Sequence, residues 1–367
     1  MKRFLVIMVS ILLVMSLAGC SKKSTPAQSG SSSAPAKQNL RYIVGSGHTA
    51  RALEYMLALE EGFMVDVQKR VADTTNYQIE WVPAFGTVAN QADALKAIQN
   101  GLIDIGIINF SPLAGQLPIF SFSMILPFTT SNPSIAQKAS LKIFDEFPIL
   151  KEKLSKDFNQ TFLALHGLAD YGIYSTFSIA TLADIRNKKI GGSGRNLLWL
   201  ENTGAVPVSS NLGDGYTSLQ TKLIDGQFCA ATWGLGYKFP EVAPFYTKAG
   251  LGCAPTICLT ANNDTWKSMP EEVKKIIIVA VEEWGNKSTQ MSIDMEEGSI
   301  ETFKKGGGTV VVMTDKAKQD WCAAVPNLPD VAARELGREG LIILKRYMEI
   351  LKEMGEPVAR EWTYPIN

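Results

Sequence analysis

One segment, residues 189–227, constrains the fold of this chain more than any other. It begins with a short strand-like run that ends in Gly-rich turns, followed by a helical run, a second short strand and a second helix. Tyr216 and Leu219 recur at helical spacing, Asp214 is a suitable N-cap, and Gly226 stands where a helix would stop. Alternation of this kind is typical of α/β folds.

The same alternation is present from residue 39 onward. Apolar patterning predicts strands over 40–44, 78–82 and 102–109, and helices over 50–72 and 88–99. We therefore expect an α/β sheet whose neighbouring strands are largely parallel.

Two segments, residues 95–106 and 219–227, resemble each other. In each, a helical run leads to a Leu-Ile-Asp step and then a glycine. The likeness is either chance in a common turn or one such unit in each of two lobes, and we favour the second interpretation.

The C-terminal third predicts two long helices. Ser268 and Glu271 have the spacing of a capping box, with Pro270 early in the first turn, and the helix that follows runs toward Lys305. Residues 306–308 are glycines that end it. A β-branched strand over 309–313 and a final helix over 331–354 complete the pattern.

Length and charge bound the class of protein. The 367 residues suggest two domains. Lys plus Arg and Asp plus Glu each total 36, so the formal net charge is zero and gives no reason to expect nucleic acid as a partner.

The N-terminus predicts export from the cytoplasm. A basic pair is followed by an apolar run over residues 4–17 and by Leu-Ala-Gly-Cys, which is typical of a lipoprotein signal peptide over 1–20 that leaves Cys20 lipidated. The alternative is an ordinary signal peptide that happens to contain a cysteine. Residues 21–38 are Ser-, Ala- and Pro-rich, which predicts a flexible tether. No later segment is long and apolar enough to cross a bilayer.

The remaining cysteines suggest neither a zinc site nor a redox site, because no pair has C-x-x-C spacing. Outside the cytoplasm Cys253 and Cys258 are near enough in sequence to form a disulfide, and the alternative is that both are buried thiols. No cofactor or metal is expected.

Residues 45–50, GSGHTA, match a dinucleotide-binding turn between a strand and a helix. His48 would place a bulky ring where pyrophosphate needs close approach, and no acidic residue ends a second strand at the required distance. His48 is instead a candidate for a ligand pocket, and the alternative is a local cap or a solvent-facing side chain. With His166 as the only other histidine, expected in the core at a strand end, we predict that the chain is not an enzyme.

Gly213, Tyr216, Leu219-Gln220 and Asp225-Gly226-Gln227 together resemble the second lobe of the TRAP-transporter solute-binding proteins, the DctP family. The resemblance implies a two-lobed, periplasmic-binding-protein-like α/β fold with hinge strands and a long helix spanning both lobes. The implied divisions are lobe I over 39–166, completed by about 253–290, lobe II over 167–252, completed by about 291–330, and a C-terminal helix and tail over 331–367.

The resemblance also implies the function. Such proteins capture a small organic ligand and deliver it to TRAP-type membrane permease subunits, so we expect an extracytoplasmic protein held at a bacterial membrane by lipid on Cys20. A lipoprotein that presents its ligand to a signalling receptor, or a binding protein of another transporter class, remains an alternative.

Carried over from the family, the pocket positions are unusual. The arginine that pairs with the ligand carboxylate corresponds to Gly191, and a second arginine corresponds to Tyr171. Other family pocket positions fall on Asn109, Leu212 and Cys229. We therefore expect that the ligand is not a simple dicarboxylate, because a buried carboxylate needs a partner such as a bidentate Arg.

Further pocket residues follow from the local sequence. Arg195 lies in the turn after Gly191 and would serve a carboxylate if it entered the cleft; the alternative is a surface position. Phe85 and Trp233 are candidates to stack on a flat or apolar ligand, with core packing as the alternative.

Overall fold

The computed structural model describes residues 37–49 and 53–366. The predicted signal peptide, Cys20 and most of the tether lie outside the described residues. The strands are β1 (Gln38–Ser46), β2 (Tyr77–Phe85), β3 (Ile105–Asn109), β4 (Gln160–His166), β5 (Gly172–Ser175), β6 (Lys189–Gly192), β7 (Val206–Ser209), β8 (Gly226–Cys229), β9 (Phe245–Lys248), β10 (Ile257–Asn262) and β11 (Thr309–Val312).

The α-helices are α1 (Glu54–Leu57), α2 (Met64–Thr74), α3 (Ala94–Gln99), α4 (Pro133–Glu146), α5 (Ile149–Phe158), α6 (Leu212–Gln220), α7 (Ala231–Gly236), α8 (Asn263–Ser268), α9 (Glu271–Lys305), α10 (Asp315–Ala324) and α11 (Leu328–Glu353). A π-helical turn, Ala58–Phe63, joins α1 to α2. Short 3₁₀ helices occur at Pro118–Met124, Leu182–Ile185, Gly194–Leu200 and Phe239–Glu241.

These strands form two sheets, which confirms the predicted α/β, two-lobed fold. Sheet I has the order β2-β1-β3-β10-β4, and sheet II has the order β11-β9-β5-β8-β6-β7. Parallel pairs occur in both, but β10 and β5 run antiparallel to their neighbours. Parallel pairing is therefore less general than the alternating pattern predicts.

The chain passes between the sheets three times, and the third passage, from β10 to β11 through α8 and α9, includes a long helix that contacts elements of both sheets. Residues 167–171 connect β4 in sheet I to β5 in sheet II, and residues 249–256 return from β9 to β10. Helix α9 contacts β4 and α1, which belong to or adjoin sheet I, and also α7 and β11, which adjoin or belong to sheet II. These crossing segments are therefore placed where a hinge between two lobes has to lie.

Several elements begin later in the sequence than predicted. The described part of the first helix begins at Glu54. The helix predicted over 88–99 begins only at Ala94, because the side chain of Asn90 accepts the backbone N–H groups of residues 92 and 93 in a turn. The strand predicted over 102–109 begins at Ile105, and Leu102 is exposed.

Three predicted caps are wrong. The N-cap of α6 is Asn211, whose side chain accepts the N–H of Asp214, and α6 ends at Gln220, so Gly226 begins a strand rather than ending a helix. The expected capping box before α9 does not form. The hydroxyl of Ser268 donates to the carbonyl of Thr265, and Pro270 is the N-cap.

The two similar segments noted in the sequence have the same geometry. In each, an aspartate follows a helix and precedes a strand, and its carboxylate accepts a backbone N–H from the neighbouring parallel strand. Asp104 accepts from Ile43 at 2.7 Å, and Asp225 accepts from Lys189 at 2.8 Å. One such unit therefore lies in each sheet, at the start of β3 and of β8.

The four cysteines of the described residues, among them Cys253 and Cys258, are buried free thiols, so the proposed disulfide does not form. His166 is fully buried at the end of β4, as expected. Among the described residues no helix combines the length and the apolar character needed to cross a membrane.

Candidate ligand-binding cavity

A cavity lies between the two sheets and is lined from both. Its free volume is only about 40 Å³. Small-molecule sites usually measure ~300–1,000 Å³, so the described walls stand too close together to hold a solute and must separate to admit one. The lining residues are His48, Tyr55, Gln91, Asn109, Ser111, Tyr171, Ser193, Asn196, Ser210, Asn211, Leu212, Gln227, Phe228, Trp233 and Ile257.

Hydroxyl, amide and aromatic groups dominate this lining. Among the described residues, no Lys, Arg, Asp or Glu side chain lines the cavity. His48 does not replace them as a cation, because burial lowers its pKa to about 4, and a hydrogen bond to Gln91 and the charge of Glu54 oppose that only in part. Its Nδ1 lies 2.9 Å from the hydroxyl of Tyr55. The described walls are therefore uncharged at neutral pH.

Two aromatic side chains form one wall. The rings of Tyr171 and Trp233 meet edge to face at 6.1 Å, and Tyr171 meets Trp199 in the same way at 5.6 Å. The indole Nε1 of Trp233 donates to both carboxylate oxygens of Glu54, at 2.9 and 3.1 Å. This wall is rigid and offers ring surface to a ligand.

Gln227 occupies the space in front of Gly191. Gly191 lies in β6, and a Cβ atom built on it would meet the Oε1 atom of Gln227 and the side chain of Ile224. Gln227 is 2% exposed, and its Oε1 has no hydrogen-bond partner among the described residues. An amide oxygen with unused accepting capacity thus stands where a side chain at position 191 would begin.

The structure brings together five of the eight predicted pocket residues: His48, Asn109, Tyr171, Leu212 and Trp233. The first two follow or end strands of sheet I, Tyr171 lies in a crossing segment, and the other two lie on helices that adjoin sheet II.

The other three predicted residues do not line this cavity. Phe85 is partly buried at the end of β2, the edge strand of sheet I. Cys229 is fully buried in β8. Arg195 turns toward α11, where its Nη2 lies 2.6 Å from the Oε2 atom of Glu335, so an ion pair already uses its charge.

Sequence reasoning missed most of the polar wall. Gln227 was visible as part of Asp-Gly-Gln but was not assigned to the pocket. The remaining missed residues are mainly Ser, Asn and Gln in loops, where these types are common and carry no signal of a site. They are Tyr55, Gln91, Ser111, Ser193, Asn196, Ser210, Asn211, Phe228 and Ile257.

Two contacts hold the sheets together beside the cavity. The hydroxyl of Ser111 donates to the carbonyl of Ser193 at 2.9 Å, and the indole of Trp199 donates to the carbonyl of Met124 at 3.0 Å. Gly194 has a φ of +64°, and a Cβ there would collide with the carbonyl of Ser111. The described conformation is therefore a closed one at this edge.

Comparison with known proteins gives one family. The model of the bacterial extracellular solute-binding protein family 7 (DctP) matches residues 59–335. The ectoine-binding periplasmic protein TeaA of Halomonas elongata is 24% identical over 311 residues, covering 82% of this chain and 88% of TeaA. The 2,3-diketo-L-gulonate-binding periplasmic protein YiaO of Escherichia coli is 23% identical over 269 residues, covering 72% and 79%.

Solved structures share the fold. A TRAP periplasmic solute binding protein from Desulfovibrio salexigens with bound orotic acid has a TM-score of 0.73 and 20% identity, covering 86% of this chain and 99% of that one. DctP7, a Bordetella pertussis extracytoplasmic solute receptor binding pyroglutamic acid, has a TM-score of 0.72 and 18% identity, covering 84% and 99%.

Proposed function

This chain belongs to the bacterial extracellular solute-binding protein family 7, and we propose that it captures a small uncharged or zwitterionic solute and delivers it to a TRAP-type secondary transporter. The predicted family is confirmed, and with it an extracytoplasmic solute-binding receptor for a small organic ligand that is not an enzyme. The absence of net charge on the ligand, delivery to a TRAP-type transporter and a lipid anchor on Cys20 are what we propose in addition.

The uncharged lining of the cavity carries the proposal on the ligand. By the family resemblance Gly191 takes the place of the usual arginine, and a Cβ atom at that position would meet the Oε1 atom of Gln227. An ionised carboxylate that loses its water needs a charged partner or several donors, and removing such a partner typically costs ~3–5 kcal/mol. Asn, Gln and Ser side chains instead satisfy hydroxyl, amide or lactam groups, and Trp233 and Tyr171 cover a ring.

In this proposal the ligand bridges the two lobes and shifts an open–closed equilibrium, with no covalent chemistry. Lobe I comprises 39–166 with about 253–290, lobe II comprises 167–252 with about 291–330, and residues 331–367 form the C-terminal part. Contacts such as Ser111 with Ser193 support closure, because they join elements of the two sheets.

A thermal-shift panel on the chain from residue 21 onward, which lacks the signal peptide and Cys20, tests the ligand class. It contains ectoine (a zwitterion), neutral hydroxylated and amide metabolites, lactams, monocarboxylates and dicarboxylates. A ligand at ~1,000 times its dissociation constant adds about 4 kcal/mol, which raises the midpoint by several degrees. We expect stabilisation by neutral or zwitterionic compounds.

Two control variants make the panel decisive. Arg195→Ala removes the guanidinium group that is paired with Glu335. Arg51→Ala removes a second guanidinium group, on a residue that lies outside the described residues and three positions after His48 in the sequence. A dicarboxylate that stabilises the wild type more than any neutral compound refutes the proposed ligand class. If either variant abolishes that effect, it identifies the cation responsible.

The location and the partner need separate tests. We propose cleavage after residue 19, lipid on Cys20 and a tether over 21–38, so an alkyne-bearing fatty acid fed to cells should label the chain and Cys20→Ser should abolish the label. Loss of solute uptake on deletion of this chain supports a transport role. Unchanged uptake with a lost transcriptional or chemotactic response to the solute supports the signalling alternative, and loss of uptake without any TRAP permease indicates another transporter class.

A further inference from the structure

Glu54, the first residue of α1, is a fully buried carboxylate behind the cavity wall. Four hydrogen-bond contacts surround it. The indole Nε1 of Trp233 lies 2.9 Å from Oε2 and 3.1 Å from Oε1, the hydroxyl of Ser292 donates to Oε1 at 2.9 Å, and the Nε2 of His166 lies 3.1 Å from Oε1. Glu54 does not itself line the cavity.

These partners come from separate parts of the fold. His166 ends β4 of sheet I, Ser292 lies on α9, and Trp233 lies on α7 directly after β8 of sheet II. The carboxylate is thus the common acceptor for elements of both sheets and for the helix that contacts both.

The energetics favour a specific role for this charge. Leaving water costs a buried carboxylate several kcal/mol, and only well-placed donors compensate. Burial alone would raise the pKa of Glu54, but the hydrogen bonds with His166 and Trp233 place it below its ordinary value. The group is therefore ionised at neutral pH, and its bond to the indole N–H is charge-assisted.

We propose that Glu54 is a positioning residue that fixes the indole of Trp233 as a wall of the ligand cavity and ties α7 to α1 across the two sheets. The proposal rests on the proposed function only in that the Trp233 ring faces the ligand. Without the carboxylate, the N–H of Trp233 loses its partner within a buried site, and the ring loses its fixed orientation.

The indole N–H of Trp233 reports on this bond directly and without any ligand. The chain contains seven tryptophans, so a ¹H–¹⁵N spectrum gives seven indole resonances, and Trp233→Phe identifies the one in question. In Glu54→Gln a neutral amide replaces the carboxylate with nearly the same shape. We expect the Trp233 resonance to move more than any other indole resonance, and its exchange with D₂O to become about tenfold faster.

Two further variants separate positioning from general packing. Glu61→Gln removes an exposed acid on the adjoining π-helical turn and should leave the resonance unchanged. Ser292→Ala removes another donor to the same oxygen and should change the exchange rate less than Glu54→Gln does.

A thermodynamic cycle tests the same contact through stability. Glu54→Gln, Trp233→Phe and the double variant should be non-additive in unfolding free energy, because each single change removes the charge-assisted interaction between the same two side chains. An additive cycle, or a Trp233 resonance indifferent to Glu54→Gln, overturns the proposal. A ligand panel without hits would count against the proposed function alone, since neither measurement here uses a ligand.

Discussion

An acid pair beside the crossing segments predicts an unusual dependence of stability on pH. Glu296 on α9 has no hydrogen-bond partner for Oε2 among the described residues, and its Oε1 lies 3.5 Å from the hydroxyl of Tyr246. Asp170 in the first crossing segment accepts from the N–H of Gly252 and from the hydroxyl of Ser131, at 2.8 and 2.9 Å. Neither carboxylate forms a close ion pair among the described residues.

Burial is the largest influence on the pKa of both carboxyl groups. It raises the pKa of Asp170 to about 6, with the hydrogen bonds and the charges of Lys248 and Lys318 opposing it. It raises the pKa of Glu296 to about 7, aided by the charge of Asp170 and opposed by Lys248 and a backbone hydrogen bond at Thr232. Each carboxyl group therefore holds its proton in the folded chain at pH values where the unfolded chain has lost it.

The sign and the size follow from this difference. Between about pH 4 and 7 the folded chain binds more protons than the unfolded one, so stability falls as pH rises and the loss is complete above the folded pKa. A rise from 4.5 to about 7, at about 1.4 kcal/mol per pH unit, gives at most ~3 kcal/mol for Glu296. Residual exposure of this side chain to water reduces that figure.

Glu296→Gln removes the ionisation while keeping the shape. We expect the variant to match the wild type near pH 4 and to exceed it at pH 8 by up to ~3 kcal/mol, or roughly 4 °C in melting midpoint for a chain of this size. Glu297→Gln, at the exposed neighbouring position on α9, is the control for general charge. A difference in melting midpoint between wild type and Glu296→Gln that stays constant from pH 5 to 8 would refute this reasoning.

The remaining predictions concern the cavity. Trp233→Ala should weaken binding of a panel ligand at least tenfold by calorimetry, because it removes a ring wall, and an unchanged affinity would exclude Trp233 from the site. Arg195→Ala should change that affinity less than about twofold, since the ion pair with Glu335 lies away from the lining. Gly194→Ala should weaken ligand binding and favour an open conformation in small-angle scattering, because its Cβ collides with the carbonyl of Ser111; an unchanged profile and affinity would contradict this.

Much of the fold was accessible from the sequence because periodicity reports directly on strands and helices. The long helix ending at Lys305 and the strand–helix order over 189–227 emerge nearly as predicted. The errors lie at ends of elements, where one side-chain contact decides. Asn211 caps α6 in place of Asp214 because its side chain reaches the N–H group of residue 214, a matter of backbone geometry that residue types alone do not reveal.

The candidate site was less accessible because it depends on contacts between segments far apart in sequence. His48, Asn109 and Trp233 line one cavity although 185 positions separate the first from the last. Arg195 shows the opposite case, since a basic residue near the expected pocket turns away to an acid on α11. Glu54 carries no motif at all, and only the fold brings it to within hydrogen-bond distance of Trp233.

Charge, rather than shape, should decide what this cavity accepts. A dicarboxylate would bring two negative charges to described walls that hold no cation, with His48 neutral and the Glu54 carboxylate lying behind Trp233. If each unpaired charge costs only ~3 kcal/mol, affinity falls more than a hundredfold per charge. A neutral ligand has no such cost. In a zwitterion, attraction between its cationic group and the Glu54 carboxylate partly offsets the cost of burying its own carboxylate. Affinities across the panel should therefore fall from neutral and zwitterionic compounds to monocarboxylates and then to dicarboxylates. Tighter binding of the carboxylates would contradict this reasoning and would indicate that a cation outside the described walls reaches the ligand.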